Sequence, residues 1–177
     1  MARKFRIYYT SDTHGHIFPV NYAGNCPEDS GLLNIAQELE KDGNTLVLDG
    51  GDSLQGTPLT QFYLEHRDSW KPHPVAAAFN AMGLDCFTLG NHDFNFGYEA
   101  LRGYIDAMDG VCLCTYVEDL GGQLRIRPWA VHTLDNGLRI GTTCVGTAFV
   151  DLLVQPQNLD RNRITDAFRA ALSACPA

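Results

Sequence analysis

Three apolar segments of this chain each run directly into side chains able to hold a cation: "FRIYYT" into Asp12, His14 and His16, "TLVL" into Asp52, and "CFTL" into Asn91, His92 and Asp93. Successive clusters lie about forty residues apart, room for a strand, a crossover helix and the next strand. Parallel strands joined in this way end on one edge of their sheet, and open α/β sheets gather ligands at that carboxyl edge. The pattern predicts an α/β fold in which the sequence-distant tips converge on one site.

The intervening segments fit this frame. "GLLNIAQELEKDG" sets Leu32, Ile35, Ala36 and Leu39 at helical spacing and closes on Gly43, a helix stop. "HPVAAAFNAMG" opens with Pro74 near a helix start and ends at Gly83. "GYEALRGYIDAMDG" reads as a helix despite Gly103, and "VCLCTYV" as the strand after it. Beyond that point "WAVHTL" and "LRIGTTCVG" flank Asp135-Asn136-Gly137, a composition suited to a tight hairpin, so the sheet is expected to be mixed. "ITDAFRAALSA" supplies a last helix, and with no repeat or linker in sight one domain across residues 1–177 is expected.

A formal charge of −8 argues against DNA or long RNA as partner, because such proteins need a basic stripe to displace phosphate counterions. A small phosphate remains compatible with an acidic chain if bound metal ions supply the local positive charge. The start "MARKFRIYYTSD" lacks the apolar run of a signal peptide, and no stretch is long enough to span a membrane. A cytoplasmic location is expected for the chain as it stands, a periplasmic or cell-surface one if it is a processed fragment. Cys26, Cys86, Cys112, Cys114, Cys144 and Cys175 are scattered in a chain too large to need stapling, and read as reduced core residues. Cys112 and Cys114 share one face of a strand, where packing is the simpler reading and metal binding the alternative.

The strand-tip residues are oxygen and nitrogen donors without thiolate, a set that suits manganese, iron, zinc or magnesium. Each cluster alone has a plain structural reading, since an Asp or His caps a turn and a glycine-aspartate pair is ordinary turn chemistry. Together and in order they point to a metal-dependent phosphoesterase, in which a carboxylate such as Asp52 bridges two ions ~3.5–4 Å apart.

"DTHGH", "GGDSLQG" and "TLGNHDFNFG" resemble, in order and context, the successive motifs of the calcineurin-like metallophosphoesterases. Within that superfamily the chain resembles the 5'-nucleotidase and 2',3'-cyclic-nucleotide 2'-phosphodiesterase/3'-nucleotidase group, from about Phe5 to about Asp160, and Asn95 leans toward the cyclic phosphodiesterase branch. The resemblance implies an αββα sandwich whose residues 1–177 form the N-terminal half of the catalytic domain. It implies Asp12 and His14 as ligands of one metal, Asp52 as the bridge and Asn91 as a ligand of the second. It makes His92 the general acid, oriented by Asp93, and leaves His16 an outer-shell role.

Family members continue into a second half that supplies GH-type and GHxH-type histidines. Neither motif occurs here, and His66, His73 and His132 lie in a helix end, a Pro-rich turn and a strand. Of the two divalent ions of the complete family site, at most one is therefore expected to bind tightly. A nucleotide or similar small phosphoester is the expected substrate, with activity impaired in this chain alone. The alternative is a non-catalytic module that binds metal, phosphate or a protein partner. In either case a half-sandwich exposes a sheet face, and a homodimer covering it is expected.

Overall fold

The computed structural model describes residues 3–147 and 149–174. Its centre is a parallel five-stranded sheet. In chain order the strands are β1 (Arg6–Thr10), the short pair β2 (Val20–Asn21) and β3 (Cys26–Pro27), β4 (Thr45–Asp49), β5 (Cys86–Phe87), β6 (Val111–Leu113), β7 (Val117–Asp119), β8 (Ile126–Arg127), β9 (Trp129–Thr133), β10 (Arg139–Thr143) and β11 (Asn162–Ile164). The large sheet runs β1-β4-β5-β6-β8, all neighbours parallel, in the register Arg6 to Thr45 and Thr10 to Asp49. The helices are α1 (Leu32–Gln37), α2 (Pro58–His66), α3 (Pro74–Ala81), α4 (Tyr98–Ala107), α5 (Val150–Leu153) and α6 (Ala167–Ala174). No helix among the described residues is long and apolar enough to cross a membrane.

The α/β architecture follows the sequence pattern, with two differences of detail. The antiparallel strands β9 and β10 do not join the large sheet but pair with each other, and their hairpin crosses its face. Cys86 Sγ meets His132 Nε2 at 3.3 Å there, and the turn is anchored by Asp135 N donating to Gly43 O at 2.9 Å. The helix expected to run to Gly43 stops at Gln37. Its continuation is taken over by Asp42, whose carboxylate accepts from Asn44 N at 2.9 Å and Thr45 Oγ1 at 2.6 Å, a local turn that competes with the helix and leads into β4.

Period-two alternation gives the sheet two different faces. Val47, Phe87 and Cys112 look toward α3 and α4, where Val75, Phe79, Leu101 and Tyr104 close the core. The opposite face is covered by the hairpin only in part, and Ile7 and Tyr9 on β1 remain 46% and 65% exposed. Cys86, Cys112 and Cys114 are buried free thiols, as expected, whereas Cys26 is exposed and Cys144 half-buried, neither lying on a strand of the large sheet; Cys175 lies outside the described residues. Burial pushes the Cys114 thiol up to about 12 and raises that of Cys112 as well, and both side chains pack in the hydrophobic core.

His73 belongs to the fold. It caps α3, its Nδ1 accepting from Ala76 N at 3.4 Å ahead of Pro74, and its ring lies against Tyr63 and Tyr104 at 4.4 and 5.2 Å. Burial first, and Lys71 second, push its pKa down to about 4.

Candidate metal centre

Asp12, His14 and Asp52 each offer a ligating atom, and these atoms lie within 4.8 Å of one another. Strand geometry alone does not achieve this. All three residues hold positive φ, 54° at Asp12, 47° at His14 and 57° at Asp52, a region disfavoured for residues with a Cβ. Main-chain contacts between the tips of β1 and β4 hold them there: Asp12 N donates to Gly51 O at 3.0 Å and His14 N to Asp52 O at 2.9 Å. Strain concentrated on residues that share a site is a mark of a functional constellation.

The tip after β5 closes the third side. His92 N donates to Asp52 Oδ1 at 2.7 Å, which sets Asn91 and His92 beside that carboxylate. The close approach requires glycine at position 90, where a Cβ would sit 2.1 Å from Asp52 Oδ1. The His14 and His92 rings meet edge to face with centroids 5.2 Å apart.

Asp93 makes contacts other than the expected one to the His92 ring. Its carboxylate is fully buried and accepts from Asp52 N, Ser53 N and Leu54 N at 2.9 Å each and from Gly90 N at 2.8 Å. With its lone pairs taken by these amides it staples the two loops together, and no hydrogen bond joins it to the His92 ring among the described residues. The His92 ring instead meets Gln55, Nδ1 to Oε1 at 2.8 Å, with Asn95 alongside. Gln55 carries no signal in the sequence beyond being a polar residue between Leu54 and Gly56. His16 stands apart from the cluster, its ring edge-on to Tyr22 at 5.9 Å and its Nδ1 buried without a partner, in the wall of a 370 Å³ cavity that Asp12 and Glu28 also line.

Behind the tips, Asp49 accepts from Thr10 Oγ1 at 2.6 Å, Gly51 N at 2.9 Å and Ser53 Oγ at 3.2 Å. Burial outweighs these bonds and pushes its carboxyl up to about 6. Between its ordinary value of about 3.9 and that raised one, the native protein holds a proton the unfolded chain has lost, so its contribution to stability falls as pH rises. His73, lowered to about 4, works in the opposite sense: below about 6.5 the unfolded chain takes up a proton the native ring refuses, so stability falls as pH falls. Each effect is worth ~3 kcal/mol at about 1.4 kcal/mol per pKa unit. In urea titrations with chelator present, Asp49→Asn is expected to gain stability relative to wild type as pH rises from about 4 to about 6, and His73→Asn to gain as pH falls over about 6.5 to 4. Parallel pH profiles for variant and wild type would remove the assignment concerned.

The donor set fits a divalent cation: two carboxylates and an imidazole, no thiolate. Comparison with known proteins agrees with this chemistry. The chain is 32% identical over 136 residues to the trifunctional nucleotide phosphoesterase YfkN of Bacillus subtilis, a match covering 71% of this chain and 9% of that protein. It is 30% identical over 106 residues to the 2',3'-cyclic-nucleotide 2'-phosphodiesterase/3'-nucleotidase of Haemophilus influenzae, covering 56% of this chain and 16% of that one. Among solved structures, a putative 5'-nucleotidase from Staphylococcus aureus superposes with a TM-score of 0.81 at 26% identity, over 94% of this chain and 33% of that chain. The YfkN crystal structure gives 0.78 at 26% identity, over 93% and 55%. The chain thus spans less than a quarter of the length of these curated relatives. The profile described as Calcineurin-like phosphoesterase matches residues 5–169, nearly all of the fold described above, and the chain belongs to that family.

Proposed function

We propose that the chain is the N-terminal, metal-holding portion of a phosphoester hydrolase acting on nucleotides, of the cyclic phosphodiesterase or nucleotidase type. The observation that carries this reading is the convergence of Asp12, His14 and Asp52 in strained backbone at the strand ends. Asp12 and His14 would hold one ion, Asp52 would bridge, and Asn91 would contribute to a second. Divalent ions held there would supply the positive charge that polarises a phosphoryl oxygen and lowers the pKa of a water. His92, whose backbone N donates to Asp52 Oδ1 at 2.7 Å, would give a proton to the departing ester oxygen. The exposed Ile7 and Tyr9 support a further layer over the sheet, for which a second copy of the chain is our proposal.

Equilibrium dialysis against manganese tests the centre in the chain as it is. One tightly held ion per chain is expected, and Asp52→Asn should abolish it, because the two neighbouring ligands alone leave an incomplete set. Unchanged retention in Asp52→Asn, or none in wild type, would overturn the proposal.

A further inference from the structure

We infer that Gln55 is the positioning residue of this site, setting the tautomer of both imidazoles through two different oxygens. The purpose assigned to it rests on the hydrolase reading above, but the geometry stands by itself. His14 Nδ1 lies 2.8 Å from the main-chain oxygen of Gln55, and His92 Nδ1 lies 2.8 Å from its side-chain Oε1. A carbonyl oxygen only accepts, so each imidazole must donate from Nδ1. Each therefore keeps its lone pair on Nε2, across the ring from Gln55. For His14 that is the atom left to bind a cation, and for His92 the atom left to carry and deliver a proton.

The neighbouring residues are arranged around this role. Gly56 has φ of 152°, and a Cβ there would sit 2.4 Å from His14 O, so only glycine lets the Gln55 carbonyl approach the His14 ring. Asn95 Nδ2 donates to the same Oε1 of Gln55 and fixes its direction. Asn95 is in turn held by Asn158, whose Nδ2 donates to Asn95 O at 2.7 Å. The 3.1 Å between Asn95 Nδ2 and His92 Nδ1 is the separation of two donors sharing one acceptor, so Asn95 does not itself hold the ring. Where a carboxylate would orient this histidine by charge, the chain uses a neutral amide whose second lone pair is filled by another amide.

The two oxygens differ in what a mutation can remove, and this supplies an internal control. Gln55→Leu deletes Oε1 but keeps the main-chain carbonyl. In ¹⁵N-histidine-labelled, metal-free full chain at mildly alkaline pH, where imidazoles are neutral, long-range ¹H–¹⁵N correlation spectra report which ring nitrogen is protonated. Wild type should show the Nδ1–H form at both His14 and His92. Gln55→Leu should convert His92 to the Nε2–H form or a mixture while His14 stays as it was, and Gln55→Glu, which retains an acceptor, should keep the wild-type pattern at both. An unchanged His92 in Gln55→Leu overturns the inference, and so does a simultaneous change of both rings, which would mean the loop itself had moved. Because no metal or substrate enters the measurement, its result is independent of whether the manganese dialysis succeeds.

Discussion

Asp93→Ala is expected to lower the unfolding free energy by at least ~4 kcal/mol, enough to leave a large part of the chain unfolded. The carboxylate accepts from the amides of Asp52, Ser53, Leu54 and Gly90, and the side chain has no exposure to solvent. Alanine would strand those donors in a site that water cannot reach without opening the loops, and each buried unsatisfied group costs roughly 1–3 kcal/mol. Asp93→Asn should fall between the two, since one carbonyl oxygen replaces two carboxylate oxygens and an NH₂ is set against donors. Urea denaturation read by circular dichroism checks both variants. A loss below ~1 kcal/mol for Asp93→Ala would mean the donors find other partners and the staple is unimportant. The expected order, wild type above Asn above Ala, also distinguishes a stapling carboxylate from one that orients a ring, for which Asn and Ala would leave stability nearly unchanged.

That difference marks the limit of what could be read from residue order. The α/β class, the parallel strands and the meeting of Asp12, His14 and Asp52 follow from periodicity plus the rule that parallel strands share an edge. Hairpin β9–β10 follows from Asp135-Asn136-Gly137, yet its separation from the large sheet does not, because turn chemistry sets the pairing of two strands and says nothing of what lies beside them. The hydrogen-bond partners of Asp93 and His92 are not legible in residue order for a related reason. Adjacency in "GNHD" suggests that the aspartate serves the histidine, but successive residues in the tight turn Asn91–Phe94 point in different directions, so Asp93 enters the protein while His92 faces outward. The partner of His92 comes from a loop 37 residues away, a pairing that only the contact between the two strand tips brings about.

The leaving-group dependence of His92→Asn should be the largest catalytic effect. The measurement uses the chain supplemented with a second half-sandwich carrying the GH and GHxH histidines, and compares an alkyl with a nitrophenyl phosphodiester. An alkoxide leaves poorly without a proton, whereas a nitrophenolate leaves unaided. A general acid contributes roughly 10²–10⁴-fold where protonation is needed, so kcat/KM for the alkyl ester should fall by about that factor and the nitrophenyl ester by far less. Asp52→Asn should depress both esters alike, because a bridging carboxylate acts on the attacking side whatever departs. Equal losses on the two esters for His92→Asn would remove the acid role and leave the ring as a group that binds substrate. A leaving-group dependence that appeared instead in Asp52→Asn would exchange the two assignments, placing proton delivery on the carboxylate and ligation on the imidazole.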